Sequence, residues 1–580
     1  MLHSSPYKPL EIPEDLSVPD FVLQATSDQD EAMPLLYPCP QTTRKSTTPI
    51  SLGQVRAQAK AMATSLLSPH IEGGAWKRGD VIVVYSENQH DYLLAVLGVM
   101  MSGGVAALSN PMYKPDEMRH VFDLTKPRAI LASVATYEKA VQAAKSYEEL
   151  CKHDITVYVF DEDHERSYLK LLVEPGMKLY NDGDDAVHRV PFSPKEQDAI
   201  YCFSSGTSGL PKAVRLSHFN LIANAIQMTA TLGGRINKPS EKFMQWYDQP
   251  EAPIQDGKNE IHYSILPQFH CYGMLTSLIN LHTLTPAVIA ARFSPETFFS
   301  TVEEFHVTFA FVVPPIMIAL VRSPLAKKYD LSSIKSLASG AASLSKELCE
   351  LVRDKYGLHV TDGYGMTEMS PIIALQTQRD LQYHKLNVGR LVSNTEAYVI
   401  DVNTGKKVGV NKPGELLVRG PQMMQGYLGN EKANQSAFAM DDEDSGRFLR
   451  TGDIVSFDDK GYITIHDRVK DIIKYNGYQI AASEIEAIIN SIPHVLESAV
   501  VGKIVKEDVA KNELPWAFIV LRSDAPDMSE EKRSEEVISY VNERVAGYKK
   551  LRGITWTDQL PRSAAGKVLK RELRDQLSLD

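Results

Sequence analysis

Short apolar runs recur through the first part of the chain, and longer stretches with apolar positions every three or four residues separate them. The first pattern predicts buried strands and the second predicts helices. Asp80–Tyr85 reads as a strand, Asp91–Met101 as a helix and Val105–Leu108 as a strand. Pro115–Leu124 reads as a helix ending before Lys126-Pro127, since a residue before proline is pushed out of the helical region. Arg128–Leu131, Tyr137–Tyr147 and Thr156–Phe160 then read as strand, helix and strand. Strands joined by helices of this length form right-handed crossovers and a parallel sheet. The alternation returns with strands at Ala287–Ala291, Val307–Val313 and Ser336–Ala338, and a helix at Pro295–Phe305.

From about Glu396 the texture changes. Short strands such as Glu415–Arg419 and Gly461–His466, set between Gly and Asn turns, predict a β-rich subdomain over about 396–469. Past Arg468 a shorter run follows: helix Ser483–Ile492, strands Glu497–Val501 and Trp516–Leu521, helix Glu530–Val545. The expected fold class is α/β: a large N-terminal domain, 1–469, of parallel-sheet subdomains with the β-rich subdomain, and a small mobile α+β C-terminal domain, 470–580. Residues 233–260 form a long polar connection and are expected to be a surface insertion.

Composition narrows the function. At 580 residues the chain has room for roughly three or four folding units of about 150 residues each. The net charge of -11, with no basic block to offset it, argues against nucleic acid as a partner. The five cysteines, Cys39, Cys151, Cys202, Cys271 and Cys349, form no C-x-x-C pair, which suits reduced thiols in the cytosol. No secretory pattern opens the sequence and Ser578-Leu579-Asp580 is not a peroxisomal address, so a cytoplasmic location is expected. The longest apolar stretch, Leu93 to Leu108, is short and broken by Gly98, Gly103 and Gly104, so no membrane span is expected.

The densest chemistry lies at Ser204-Ser205-Gly206-Thr207-Ser208-Gly209-Leu210-Pro211-Lys212, between strand-like Ala199–Phe203 and Ala213–Leu216. Glycines let backbone N–H groups curl around an anion, hydroxyls add donors, and Lys212 adds a point charge. The stretch reads as a phosphate-gripping loop, though it lacks the spacing of a Walker A loop. A polar hairpin turn is the plain alternative. Asp362-Gly363-Tyr364-Gly365-Met366-Thr367-Glu368 follows strand-like Leu358–Val360 and offers a ring face, a hydroxyl and a hard oxygen ligand for magnesium. Arg450-Thr451-Gly452-Asp453 reads as a turn whose carboxylate can take two neighbouring hydroxyls, or as a turn and nothing more. The charged segment Asp467–Lys474 and the small-residue loop Ser563–Lys567, ahead of a helix at Leu569–Leu577, each have a solvated surface as the bland reading.

Taken together and in order, these motifs, running from residue 204 to 571, resemble the adenylate-forming superfamily of acyl-CoA synthetases, luciferases and peptide-synthetase adenylation domains. The chain is most similar to the 4-coumarate–CoA ligase group, through Leu266–Tyr272, Tyr329–Ile334, Gly340-Ala341-Ala342 and Gly363–Glu368. The resemblance implies ATP, magnesium and coenzyme A as cofactors. It implies that Ser204, Ser205, Gly206, Thr207, Ser208, Gly209 and Lys212 hold the β- and γ-phosphates, and that Gly340, Ala341, Ala342, Asp362, Gly363 and Tyr364 frame adenine. Thr367 would touch the α-phosphate, Glu368 would hold Mg²⁺, and Asp453 would bind the ribose with Arg468 nearby. Lys470 would be the hinge. Lys474 and Gln479 would assist from the small domain, and Lys567 would reach the carboxylate and α-phosphate. His270 would sit at the acid pocket, with Cys271, Tyr272, Thr276, Gly340, Gly365, Pro371 and Ile372 as walls. The chain departs from the pattern at Ser208, Ala213, Asn476 and Ala482; the last two bear on the second half-reaction.

The expected activity is ATP-dependent conversion of a carboxylic acid to an acyl-adenylate, then transfer to coenzyme A. The acid would be aryl, cinnamate-like or a medium-chain fatty acid. One alternative acceptor is the phosphopantetheine of a separate carrier protein. Another reading, a nucleotide-binding protein without catalysis, is weighed against by the presence of Lys212, Glu368, Asp453 and Lys567.

Overall fold

The computed structural model describes residues 2–24, 27–38, 48–71, 75–151, 154–181, 193–204, 211–232, 260–340, 344, 346–358, 360–377, 380, 387–441, 446–469, 471–475, 478–504, 513–522, 525–563 and 567–579. Of the expected insertion at 233–260, all but Glu260 therefore lies outside the described residues.

The early alternation of runs builds a seven-stranded sheet. Its order is Gly426–Tyr427, Lys212–Ser217, Asp198–Ser204, Val105–Ser109, Val81–Tyr85, Ala129–Ala132, Thr156–Val159. The last five are parallel, and Lys212–Ser217 turns back antiparallel on Asp198–Ser204. All five residues of Val81–Tyr85 are buried, as a strand covered by helices on both faces must be.

A nine-stranded sheet follows, and its central strands Val360–Gly365, Ser336–Ser339, Phe309–Val312, His262–Ser264, Ala287–Ile289 and Pro34–Pro38 are parallel. The apolar pattern finds Ala287–Ile289, Phe309–Val312 and Ser336–Ser339 and the start of Val360–Gly365, but not Pro34–Pro38 or His262–Ser264, which separates Ala287–Ile289 from Phe309–Val312. Two of that strand's three residues are polar, and it tolerates burial because His262 Nδ1 lies 2.8 Å from Asn280 Oδ1.

The third sheet has six strands and carries the β-rich texture. Its edge comes from the far end of the chain: His3–Ser4 pairs with Glu396 and Ala397. One short strand within the same sequence range, Gly426–Tyr427, joins the first sheet instead. One continuous core fills the space between the large sheets and reaches into the third.

The C-terminal part has a three-stranded sheet, Val495–Ile504, Glu513–Leu521 and Gly553–Trp556, and a hairpin of Ile473–Tyr475 with Tyr478–Ile480. Its two hydrophobic clusters contain only residues from Ile473 onward. Among the described residues no helix is long and apolar enough to cross a membrane.

Candidate active site

Parallel strands deliver side chains to one edge of a sheet, where loops diverge and a ligand can enter. Here the seven-stranded sheet brings Ser204 to the end of Asp198–Ser204, and the nine-stranded sheet brings Gly340 just past Ser336–Ser339. The Asp362–Gly365 motif does not follow its strand, as the sequence reading had it, but forms the end of strand Val360–Gly365. The strand bulges between Tyr364 and Gly365 where it meets its antiparallel neighbour Ile372–Leu375. Gly365 is required there: a Cβ would stand 2.1 Å from the Pro371 carbonyl oxygen.

The Arg450–Asp453 segment is likewise no turn but part of the twelve-residue strand Gly446–Phe457. The register with Gly414–Arg419 shifts across Thr451–Asp453, and Gly452 has φ +69°. A bulge of this kind re-aims a side chain out of the ladder. Thr451 Oγ1 donates to the Leu416 carbonyl at 2.9 Å and accepts from the Asp453 N–H at 3.1 Å. Asp453 is then met from both sides. Tyr364 donates its hydroxyl to Oδ2 at 2.6 Å, and Arg468 Nε lies 3.0 Å from Oδ1. Asp453 and Arg468 are also direct cross-strand partners. Burial and the Asp453 carboxylate push the Tyr364 hydroxyl well above its ordinary range, so it keeps the proton it gives to Asp453.

Asp362 sits one turn of the pleat away. Burial pushes its carboxyl up to about 7, against the stabilising Gly363 N–H. The Gln376 side-chain oxygen accepts its backbone N–H at 2.9 Å.

Thr367–Met369 is a short 3₁₀ turn that buries Glu368. Tyr427 donates to Glu368 Oε1 at 2.9 Å, and Lys212 Nζ lies 4.6 Å from the centre of the Tyr427 ring. Lys212 thus stands near Glu368 without either residue being a sequence neighbour of the other.

The expected acid pocket lies on helix Cys271–His282. His270 caps that helix: its Nδ1 accepts the Tyr272 N–H at 3.3 Å, which places the proton on Nε2. Burial lowers its pKa to about 4, so the ring is neutral at pH 7. The Tyr272 ring packs 3.2 Å from where a Gly340 Cβ would stand, and meets Phe311 edge-on at 5.9 Å. Cys271 and Ile372 are buried, and Pro371 lies against Gly365. Thr276 is buried, and its hydroxyl donates to its own helix at Gly273 O, 3.0 Å away.

Ser205 to Gly209, Ala341, Ala342 and Lys470 lie outside the described residues, as do the side chains of Lys474 and Gln479. The backbone pairs Lys474 and Gln479 directly across their hairpin. Lys567 is fixed locally, its N–H donating to Ser563 Oγ at 3.2 Å beside the Arg562–Val568 bridge.

Several scaffold residues escape the sequence reading. Asn88 donates to Leu266 O at 2.8 Å and accepts from the Gln268 N–H at 2.7 Å, and the Gln268 side chain accepts from the Gln89 N–H at 3.1 Å. These bonds join the loop after Val81–Tyr85 to the loop after His262–Ser264, beside His270. The polar Ser86–Gln89 stretch between two buried runs is the signal that could have found them. Tyr427 is a second omission.

The AMP-binding enzyme family model matches residues 34–428, and the model of the AMP-binding enzyme C-terminal domain matches 484–567. A Dictyostelium discoideum protein named "Probable 4-coumarate–CoA ligase 1" is 33% identical over 509 residues, 86% of each chain. In fold the chain is similar to ATP-bound MatB from Rhodopseudomonas palustris, with TM-score 0.78, 22% identity, and 97% and 99% of the two chains covered. It is similar again to the anthranilate-CoA ligase AuaEII in complex with anthranoyl-AMP, with TM-score 0.77, 20% identity and 98% of each chain covered.

Proposed function

The chain belongs to the AMP-binding enzyme family, and from that premise we infer that it is an acid–thiol ligase: it activates a carboxylic acid with ATP and passes the acyl group to coenzyme A. The observation that carries the reading for this chain's own residues is the meeting of Tyr364, from a motif far away in sequence, and Arg468, from the facing strand, on the Asp453 carboxylate.

A carboxylate is a poor electrophile at neutral pH. One of its oxygens attacks the α-phosphorus of ATP, the bond to the β-phosphate oxygen breaks, and pyrophosphate leaves. The coenzyme A thiol, losing its proton, then attacks the acyl carbon, and AMP leaves. Both steps need positioning and charge neutralisation more than covalent help from the protein. Asp453, oriented by Tyr364 and Arg468, accepts the ribose hydroxyls. Asp362 meets adenine with Tyr364 and Gly363. Lys212 and the loop from Ser204 to Gly209 take the β- and γ-phosphates, and Thr367 touches the α-phosphate. Neutral His270, with its proton on Nε2, donates to an oxygen of the bound acid. Tyr272 stands across Gly340 as a pocket wall, with Cys271, Thr276, Gly365, Pro371 and Ile372 around it.

Glu368 fits a magnesium ion. It offers a buried hard oxygen donor next to Lys212, and Mg²⁺ commonly takes one or two carboxylates together with substrate phosphates. Among the described residues no group of three His, Cys, Asp or Glu stands together, which suits an ion that brings its other ligands with ATP. When bound, the ion supplies neutralisation of phosphate charge.

The separate C-terminal cores support a boundary near Lys470, with 470–580 as a unit that presents Lys567 for adenylation and then rotates. The acid is an aryl, cinnamate-like or medium-chain fatty acid. The aromatic wall of Tyr272 and Phe311 favours the aryl class.

The test is pyrophosphate release from ATP, with Mg²⁺, over a panel of aryl and aliphatic acids, followed by thioester formation with coenzyme A or an isolated carrier protein. Acid-dependent release and a coenzyme A thioester are expected. Release without any acid would mean a simple ATPase and sink the reading.

A further inference from the structure

We propose that Tyr427 is a positioning residue that sets Lys212 and Glu368 in register, so that the phosphate lysine and the metal carboxylate act as one unit. The proposal rests on the roles given above to those two residues. The geometry is specific. Tyr427 gives its hydroxyl to Glu368 Oε1 at 2.9 Å, and offers its ring face to Lys212 Nζ at 4.6 Å from the centroid. The hydroxyl has one proton to give, so donation to Oε1 fixes the carboxylate and leaves Oε2 for the ion. The ring quadrupole attracts the ammonium on its face.

The surrounding chain is built to hold this ring. Gly426 and Tyr427 pair antiparallel with Arg215 and Val214, on the strand that begins at Lys212. Leu428 N–H donates to Ala213 O at 2.9 Å. The Met424 N–H donates to Glu368 O at 2.9 Å, so the same segment grips the main chain of the carboxylate. Asn434 clamps Tyr427 on both sides, accepting its N–H at 2.7 Å and donating to its carbonyl at 3.0 Å. Gly426 has φ +142°, and a Cβ there would stand 2.9 Å from the Asn434 Oδ1 that takes the Tyr427 N–H. A tyrosine retained for packing alone needs neither the hydroxyl contact nor the clamp.

The experiment is calorimetric ATP binding by the full chain with no acid present, once with Mg²⁺ and once with a chelator. Tyr427→Phe should weaken Mg·ATP binding about tenfold, the scale for one hydrogen bond to a charged group, and leave chelated ATP binding unchanged. Tyr427→Leu should weaken both, because the ring beneath Lys212 is gone. In the Glu368→Gln background, Tyr427→Phe should add nothing further. The proposal is overturned if Tyr427→Phe weakens the two forms of ATP equally or not at all, or if its effect survives in full in Glu368→Gln. If Tyr427→Phe does not fold, Asn434→Ala carries the test: a Mg²⁺-selective loss supports the proposal, and an equal or absent loss overturns it. Wild-type protein that binds no ATP in either form would instead remove the site reading on which the proposal stands.

Discussion

The strand framework around Asp453 and the small C-terminal part place charged groups in opposite ways. Tyr364, Glu368, Asp453 and Arg468 are tied to one another or to Tyr427 by side-chain contacts within the sheets. Lys474, Gln479 and Lys567 are carried by a part with its own clusters, joined to the framework at the end of Ile463–Arg468. There Ser483 donates its hydroxyl to His466 O and its N–H to Asp467 Oδ2, the latter at 3.3 Å. Asp471 and Arg574 pair at 2.9 Å within the small part itself. Groups that grip the nucleotide throughout the cycle gain from being fixed in advance, since no reorganisation is then needed at the moment of reaction. Groups needed in only one half-reaction can sit on a part that moves.

The largest expected effect tests the side proposed to move. Lys567→Ala should slow adenylation by about two to three orders of magnitude, the scale for one electrostatic contact to a transition state. Thioester formation from supplied acyl-adenylate should change little. Equal loss in both half-reactions would place Lys567 with the fixed groups and break the comparison.

Lys470→Pro should leave adenylation largely working and slow transfer to the thiol by at least about tenfold, because proline fixes φ near -65° and removes an N–H donor at the proposed pivot. Transfer at the parent rate would mean that the pivot is elsewhere.

On the fixed side, Tyr364→Phe removes one of the two groups that orient Asp453. A rise of about five- to tenfold is expected in the KM for ATP in adenylation and in the KM for supplied acyl-adenylate in transfer to the thiol, the scale for a buried hydrogen bond to a charged acceptor. A loss confined to one half-reaction would mean that Tyr364 serves a step and not the nucleotide.

The smallest effect is a pH dependence. Asp362 is held neutral up to about 7, whereas an adenine amino group prefers an ionised acceptor. ATP binding should therefore tighten a few-fold as pH rises through 7, and the dependence should vanish in Asp362→Asn. The same shift has the opposite sign for folding. The raised pKa favours the folded state at low pH, and that contribution is lost as pH rises through about 7. Binding measured by calorimetry and stability measured by thermal melting across pH 6 to 8 separate the two.

Much of the elements' placement was legible. Pro295–Phe305 was read with its full bounds, and Asp91–Met101 and Val105–Leu108 were each off by a single residue at one end, because buried runs and helical periodicity are local signals. The motif residues were legible by their types. Two readings failed for one reason: Asp362–Gly365 and Arg450–Asp453 look like loop because they are rich in Gly and Asp, yet both are strand. Bulges at Tyr364/Gly365 and across Thr451–Asp453 let such residues sit in a sheet. Tyr427 was unreadable, since a tyrosine beside a glycine has no distinguishing local pattern.

Local pattern accounts for many of the strands and helices and for which residues carry charge, hydroxyl or ring, because these depend on neighbours a few positions away. Which of them meet is set by tertiary packing. The pairing of His3 with Ala397, the insertion of His262–Ser264 between two apolar strands, and the bond from Tyr364 to Asp453 are contacts between distant segments. They follow from how the sheets bury their faces against one another, which no local pattern encodes.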